Sequence, residues 1–261
     1  MPNFAANLTL LYPELPFLDR FAAAAADGFL GVEYLFPYAW SARVLRERLT
    51  DNGLTQVLFN LPPGDWDAGE RGIACLPDRT REFEAGLDQA LAYAEALACR
   101  QINCLAGLPP DELPQQAAWD TLVANLGLAA RKLAPQGITL MVEAINSRVD
   151  MPGYVLDTAE KVLEAIDATG EANIRLQYDI YHMQIMSGDV IRTLERHLDR
   201  IGHIQFADNP GRHEPGTGEI NFDFVFKALD RMGYSGWVSA EYHPTGPTSK
   251  TLGWLRPSAT R

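Results

Sequence analysis

Ile174-Arg175-Leu176-Gln177-Tyr178-Asp179-Ile180 alternates apolar and polar side chains along its length. In an extended chain residues two apart share a face, so Arg175, Gln177 and Asp179 line one side while Leu176, Tyr178 and Ile180 line the other. If helices cover the apolar face, the polar face lies inside a closed barrel. Three further runs repeat the pattern. Glu143 shares a face with Met141 in Thr139 to Ile145, Gln205 with His203 in Ile201 to Ala207, and Glu241 with Ser239 and Trp237 in Trp237 to Tyr242.

Working outward, four more runs read as strands from their β-branched, aromatic or continuous apolar content: Phe4 to Leu11, Gly31 to Phe36, Thr55 to Leu61 and Ile102 to Gly107. Helical stretches separate them: Phe17 to Asp27, Ala42 to Asn52, Arg79 to Cys99, Gln115 to Leu133, Thr158 to Thr169, Val190 to Asp199 and Phe222 to Met232. The clearest, Arg79 to Cys99, repeats Phe83, Leu87, Leu91 and Ala94 at helical spacing after a Pro77-Asp78 start signal. Gly28, Gly53, Gly170 and Gly233 stand where helices should end. Eight strands alternating with helices over 261 residues predict an α/β protein, one (β/α)8 barrel domain spanning 1–261. An open doubly wound sheet is the rival, but Leu8-Thr9-Leu10-Leu11-Tyr12-Pro13 stands where its glycine-rich fingerprint belongs.

Composition narrows the partners. A formal net charge of −12 opposes nucleic acid and anionic membrane surfaces. No apolar run approaches the roughly 20 residues of a membrane span, and the first residues lack a targeting pattern. Cys75, Cys99 and Cys104 are an odd number with no CxxC pair, which fits a reducing, cytoplasmic setting rather than a disulfide or zinc framework. Oligomeric state is left open, and a homo-oligomer is compatible with the sequence.

Glu143, Asp179, Gln205 and Glu241 end successive strands at separations of 36, 26 and 36 residues, about one strand/helix unit each. In a barrel they converge at the C-terminal rim, where active sites of this architecture are built. Buried carboxylates cost several kcal/mol each unless paired or metal-bound. Oxygen ligands with one amide carbonyl suit Mg²⁺ or Mn²⁺ better than zinc; the alternative is that each acid pairs with an arginine from another loop. A cation beside two glutamates suits proton transfer next to a carbonyl, with Glu143 and Glu241 as the acid/base pair of an aldose/ketose isomerisation. His182, just after Asp179, is placed to hydrogen-bond a substrate oxygen or a ligand carboxylate. The long segments Pro62 to Pro77 and Asp208 to Ile220 follow strands and read as binding loops.

Three stretches carry a resemblance. Asn60-Leu61-Pro62-Pro63-Gly64-Asp65-Trp66-Asp67-Ala68-Gly69-Glu70-Arg71-Gly72-Ile73-Ala74, Gln177-Tyr178-Asp179-Ile180-Tyr181-His182-Met183-Gln184 and Asp208-Asn209-Pro210-Gly211-Arg212-His213-Glu214-Pro215-Gly216-Thr217-Gly218-Glu219-Ile220-Asn221 resemble the hydroxypyruvate isomerase family of xylose-isomerase-like barrels, and the likeness extends over the whole chain. The resemblance implies a Mg²⁺- or Mn²⁺-type site at Glu143, Asp179, Gln205 and Glu241, with the two glutamates moving protons. It also implies interconversion of hydroxypyruvate and tartronate semialdehyde, a step of glyoxylate metabolism. Many superfamily members carry His where this chain has Gln205, so cation affinity is expected to be modest. A hydroxy-ketoacid substrate brings a carboxylate, for which Arg71 is the leading partner, with Arg212 and His213 behind it. The 2-oxo-tetronate isomerases, acting on one more carbon, are the nearest alternative. A DNA-repair endonuclease and a non-catalytic ligand-binding barrel are alternatives of another class, the first opposed by charge and by only five histidines.

Overall fold

The computed structural model describes residues 2–255 and forms a closed, all-parallel barrel of eight strands in sequential order. The strands are β1 (Asn3–Asn7), β2 (Gly31–Glu33), β3 (Thr55–Asn60), β4 (Gln101–Cys104), β5 (Thr139–Glu143), β6 (Ile174–Asp179), β7 (Ile201–Phe206) and β8 (Trp237–Ala240). Met1 and 256–261, part of the expected domain span, lie outside the described residues. All eight expected strands form, most ending one to four residues early where the chain turns onto the rim. Around them run α1 (Arg20–Ala26), α2 (Ala42–Asp51), α3 (Thr80–Leu97), α4 (Gln115–Leu133), α5 (Ala159–Thr169), α6 (Ile180–Met186), α7 (Val190–His197), α8 (Phe222–Met232) and α9 (Thr248–Thr251).

Two differences from the sequence reading have local causes. Pro77–Arg79 forms a 3-10 turn, so α3 begins at Thr80. The second difference is α6, which the sequence leaves as loop. It starts because Asp179 Oδ1 accepts from the Tyr181 backbone N–H at 2.8 Å, so the strand-end acid also caps the helix that follows. No helix among the described residues is long and apolar enough to cross a membrane.

Strand parity divides the interior from the helix-facing core. Leu140, Val142, Ala144, Ile174, Leu176, Tyr178, Ile204, Phe206, Val238 and Ala240 point outward into the main apolar core. Inside, Ala5, Val57, Leu58 and Met141 form a separate cluster against Trp237 and close the barrel floor. Above that floor the interior is polar, and Asn7, Glu33, Gln177, His203, Gln205 and Ser239 are all at most 1% exposed. The register pairs Glu143 with Gln177, Gln177 with His203, Asp179 with Gln205 and Gln205 with Ser239, which carries the polar faces around the barrel as neighbours.

The Trp237 indole fits only because β2 opens with glycine: a Cβ on Gly31 would stand 2.7 Å from both the Trp237 ring and Val57 Cγ2. Gly31→Ala is therefore expected to overpack the floor and cost about 1–3 kcal/mol, read as a lower midpoint in chemical denaturation.

Candidate active site

Glu143, Asp179 and Glu241, the last one residue beyond β8, are buried at 5%, 0% and 4% exposure on the rim. Ligand atoms of Glu143, Asp179 and His182, the last on the first turn of α6, lie within 4.8 Å of one another, and Glu241 is near enough for its charge to act on Glu143 and Asp179. Asp179 Oδ2 is buried and has no hydrogen-bond partner among the described residues, and it lies 3.6 Å from His182 Nε2. Glu143 Oε1 is 3.9 Å from the same nitrogen, and its Oε2 accepts from Asn103 Nδ2 at 3.3 Å.

Arg212 brings positive charge into this group. Nη2 donates to Glu241 Oε2 at 2.8 Å, Nη1 lies 3.4 Å from Asp150 Oδ1, and the guanidinium rests 5.1 Å from the Tyr181 ring centroid. The loop that delivers it is organised by Asp208, a fully buried carboxylate that accepts backbone N–H bonds from Asn209, Gly216, Gly218 and Ile220 at 2.8–3.1 Å. The pairing of acids with a loop arginine, the alternative to a cation, thus exists for Glu241. Arg212 sits among the acids, while His213 turns away, its Nδ1 at 2.7 Å from the His243 carbonyl.

Burial and mutual repulsion hold protons on these carboxyls. Burial, then Glu241 and Asp179, pushes Glu143 well above the usual carboxylate range. Burial raises Glu241 to about 8 against the opposing pull of Arg212, with Asp179 and Glu33 adding to the rise. Asp179 rises to about 6 through burial, which Arg212 and the backbone N–H groups of Tyr181 and His182 only partly offset. His182 is pushed well below the usual imidazole range, by burial first and by Arg212 second.

The proton on His182 can be placed from its neighbours. Asn146 Oδ1 accepts from the backbone N–H groups of Val149 and Asp150 at 2.9 and 3.0 Å, so its amide nitrogen must face His182 Nδ1, 2.7 Å away. Nδ1 is then an acceptor, and the neutral ring carries its hydrogen on Nε2, aimed between Asp179 and Glu143. His182 in this state is a donor toward the acids or a substrate oxygen. It offers no lone pair to a cation through Nε2.

Gln205 is buried one layer below. Its Oε1 accepts from Gln177 Nε2 at 2.6 Å, and its Nε2 donates to Glu33 Oε1 at 2.7 Å and lies 3.3 Å from Glu241 Oε1. Its carbonyl oxygen is therefore engaged by Gln177 rather than turned toward the three carboxylates. Glu33 escaped the sequence reading. It is completely buried, and His203 Nε2 lies 2.7 Å from its Oε2. Burial would raise its carboxyl, but the His203 charge and the bonds from His203, Gln205 and Ser239 outweigh that and hold it below the ordinary value. The signal available was parity, since Glu33 in Gly31-Val32-Glu33 has the strand position of an interior residue.

Arg71 lies in the loop packed over the ends of β3 and β4. Its guanidinium stacks 4.0 Å from the Trp66 ring and donates to the carbonyls of Trp66 and Glu70 at 3.1 and 2.8 Å. The Glu70 side chain is taken by Arg79 instead, at 2.6 Å. Among the described residues no carboxylate pairs with Arg71, so its charge is available to an incoming anion.

The donor set fits a hard divalent cation: three buried carboxylates, one with an orphaned oxygen, in a space closed off from water. A buried acidic cluster at the strand ends of a closed parallel barrel is a candidate site for a divalent cation, and the comparisons identify the family of barrels. The sequence model of the family described as xylose isomerase-like TIM barrel matches residues 21–258. The chain is 49% identical to the 2-oxo-tetronate isomerase of Cupriavidus necator, over 98% of each chain. It is 47% identical to the hydroxypyruvate isomerase of Escherichia coli, over 98% of this chain and 99% of that one. A crystal structure from Brucella melitensis, described as an AP endonuclease of family 2, superposes with a TM-score of 0.96 at 45% identity over 99% of both chains. The chain belongs to the xylose isomerase-like TIM barrel family and, by this full-length kinship, is an isomerase.

The raised carboxyls give the cation-free protein a pH signature. A folded carboxyl whose pKa lies above its unfolded value favours the folded state at low pH; that contribution is whole below the unfolded value and is lost as pH rises from there through the folded value. With Asp179 near 6 and Glu241 near 8, cation-free protein is expected to lose stability progressively from the ordinary carboxylate range, about pH 4, up to pH 8, the Asp179 part being lost by about pH 6 and the Glu241 part by about pH 8. Added Mg²⁺ or Mn²⁺ should raise the melting temperature more at pH 8 than at pH 6, because fewer protons must leave first. An equal shift at both values, or none, speaks against ligation by these carboxyls.

Proposed function

We propose that the protein interconverts hydroxypyruvate and tartronate semialdehyde, with Glu143 and Glu241 as the proton-transferring pair. The observation that carries this reading is the pair itself: two buried glutamates of raised proton affinity around Asp179, whose free oxygen faces the same volume. Glu241, pushed up to about 8, can hold or release a proton near neutral pH at little cost, and Glu143 is raised in the same direction by burial, which is what a general acid/base pair requires.

In the forward direction one glutamate takes a proton from C3 of hydroxypyruvate. The electron pair moves into a C2–C3 double bond, giving an enediolate. The second glutamate returns a proton to C2, and a hydroxyl proton passes from O3 to O2, so C3 becomes the aldehyde and no atom is gained or lost. His182, with its hydrogen on Nε2, donates to a substrate oxygen as negative charge grows there. Arg212 balances the charge of Glu241 and Asp150 while protons move. Arg71, held flat by Trp66, takes the substrate carboxylate with two N–H donors. Glu143, Asp179 and Glu241, with the Gln205 oxygen once freed from Gln177, would hold a Mg²⁺ or Mn²⁺ ion, which would supply further positive charge beside the carbonyl oxygen.

The C. necator relative favours a second reading, 2-oxo-tetronate as substrate, through the same residues and the same proton transfers. The description of the Brucella structure belongs to that protein; here a formal charge of −12 opposes a phosphate backbone.

Glu143→Gln and Glu241→Gln are each expected to lower kcat by about 10²–10⁴-fold while leaving the circular-dichroism spectrum unchanged. Near-full turnover in either variant removes it from the pair. Turnover in D₂O should place deuterium in the product, because the proton delivered to C2 comes from an exchangeable carboxyl. A product free of deuterium throughout points to hydride transfer instead. Arg71→Met should raise KM about tenfold or more with little change in kcat, as a lost charge-assisted contact to the carboxylate. Parallel assays on hydroxypyruvate and 2-oxo-tetronate decide the substrate by the ratio of their kcat/KM values.

A further inference from the structure

Beneath the rim, two amides join two carboxylates in a closed ring. Asn7 Nδ2 donates to Glu33 Oε1 at 3.0 Å and to Glu241 Oε1 at 2.8 Å. Gln205 Nε2 faces the same two oxygens, at 2.7 and 3.3 Å. Each NH₂ group has two hydrogens, and each spends one on either acid. Contacts outside the ring agree with this orientation of both amides: Asn7 Oδ1 accepts from the Thr9 backbone N–H at 3.0 Å, and Gln205 Oε1 accepts from Gln177 Nε2 at 2.6 Å. His203 Nε2 holds the other oxygen of Glu33 at 2.7 Å.

We propose that Glu33 is a positioning residue for the isomerisation, acting through Asn7 and Gln205 to hold Glu241 with Oε1 toward the barrel floor and Oε2 toward Arg212 and the site. A carboxylate only accepts hydrogen bonds, so a buried carboxylate at this depth forces both amide nitrogens to face it. The Gln205 carbonyl must then point away from Glu33, toward Gln177 Nε2. Glu241 Oε1 is occupied by the two NH₂ groups, so only Oε2, 2.8 Å from Arg212, is left to exchange protons or meet a cation. Without an acceptor at position 33, each amide has a hydrogen with nowhere to go in a buried site. The Gln205 amide can then rotate and set its carbonyl against Glu241. This inference rests on the isomerase reading of Glu241.

The test compares Glu33→Met, which keeps the bulk but removes the acceptor, with Glu33→Gln, which restores it. In Glu33→Gln the introduced carbonyl can accept from both amides, and the introduced NH₂ can donate to His203 Nε2 in the other ring tautomer. The readouts are kcat and KM, thermal melting, and Mn²⁺ affinity by electron paramagnetic resonance without substrate. Glu33→Met is expected to lose about 10–100-fold in kcat and to bind Mn²⁺ about tenfold or more weakly. KM should stay within about threefold, and Glu33→Gln should recover most of both losses. A folded Glu33→Met with parental kcat and Mn²⁺ affinity overturns the inference, and so does a Glu33→Gln as impaired as the Met variant. If Glu33→Met does not fold, Asn7→Leu cuts the same bridge to Glu241 without touching the buried charge. It should show the same loss of kcat, and parental turnover there overturns the inference. A parent protein that neither isomerises a ketoacid nor binds Mn²⁺ defeats the isomerase reading and this inference together. An active parent with an indifferent Glu33→Met defeats the inference alone.

Discussion

Glu143, Asp179 and Glu241 meet with almost no exposure to water, and the surrounding structure is arranged around the repulsion this creates. Like charges in a medium of low polarizability cannot all ionise without compensation. Compensation comes from three directions. Arg212 enters from above, the amides of Asn7, Asn103 and Gln205 donate from the sides and below, and protons stay on the carboxyls themselves. A site held in this balance is close to two chemical states, protonated or cation-bound, and both are useful for moving a proton beside a carbonyl.

The loops answer the same constraint. Arg212 reaches Glu241 because Asp208 gathers four backbone N–H groups and folds the segment 208–220 back over the rim. His182 can be buried beside the acids because Asn146, locked by its own backbone bonds, determines which ring nitrogen carries the hydrogen. In both cases one polar side chain satisfied by backbone donors sets the orientation of another that faces the reacting volume. Such residues make no contact with the reacting volume, yet they define the charge and hydrogen pattern that a ligand meets.

Kinship and physics contribute different parts of the assignment. Full-length relatives at 47–49% identity carry isomerase names for two ketoacids that differ by one carbon, so relatedness supports the reaction class more strongly than the substrate. The structure contributes an Arg71 stacked on Trp66 that pairs with no carboxylate among the described residues, and a hydrogen-donating His182, which bear on how a ketoacid would be gripped.

The barrel was legible in the sequence because alternation and strand/helix spacing are local: Gln177 and Asp179 against Leu176 and Tyr178 reveal which face turns inward before any contact is known. The rim position of Glu143, Asp179 and Glu241 followed from the same parity. The α6 helix was not legible, since it depends on the Asp179 side chain folding back onto Tyr181 N–H, a choice that ends a strand and starts a helix within one residue. Nor could sequence distinguish the roles of Gln205, Arg212 and Glu33. Each is defined by partners 28 to 172 positions away: Gln205 bonded to Gln177, Glu33 to Gln205 and His203, Arg212 to Glu241. Hydrogen-bond polarity and charge compensation depend on atoms brought together in space. The sequence by itself determined the periodicity and the supply of acids; closure of the barrel decided which acid is paired, which is protonated and which is left open.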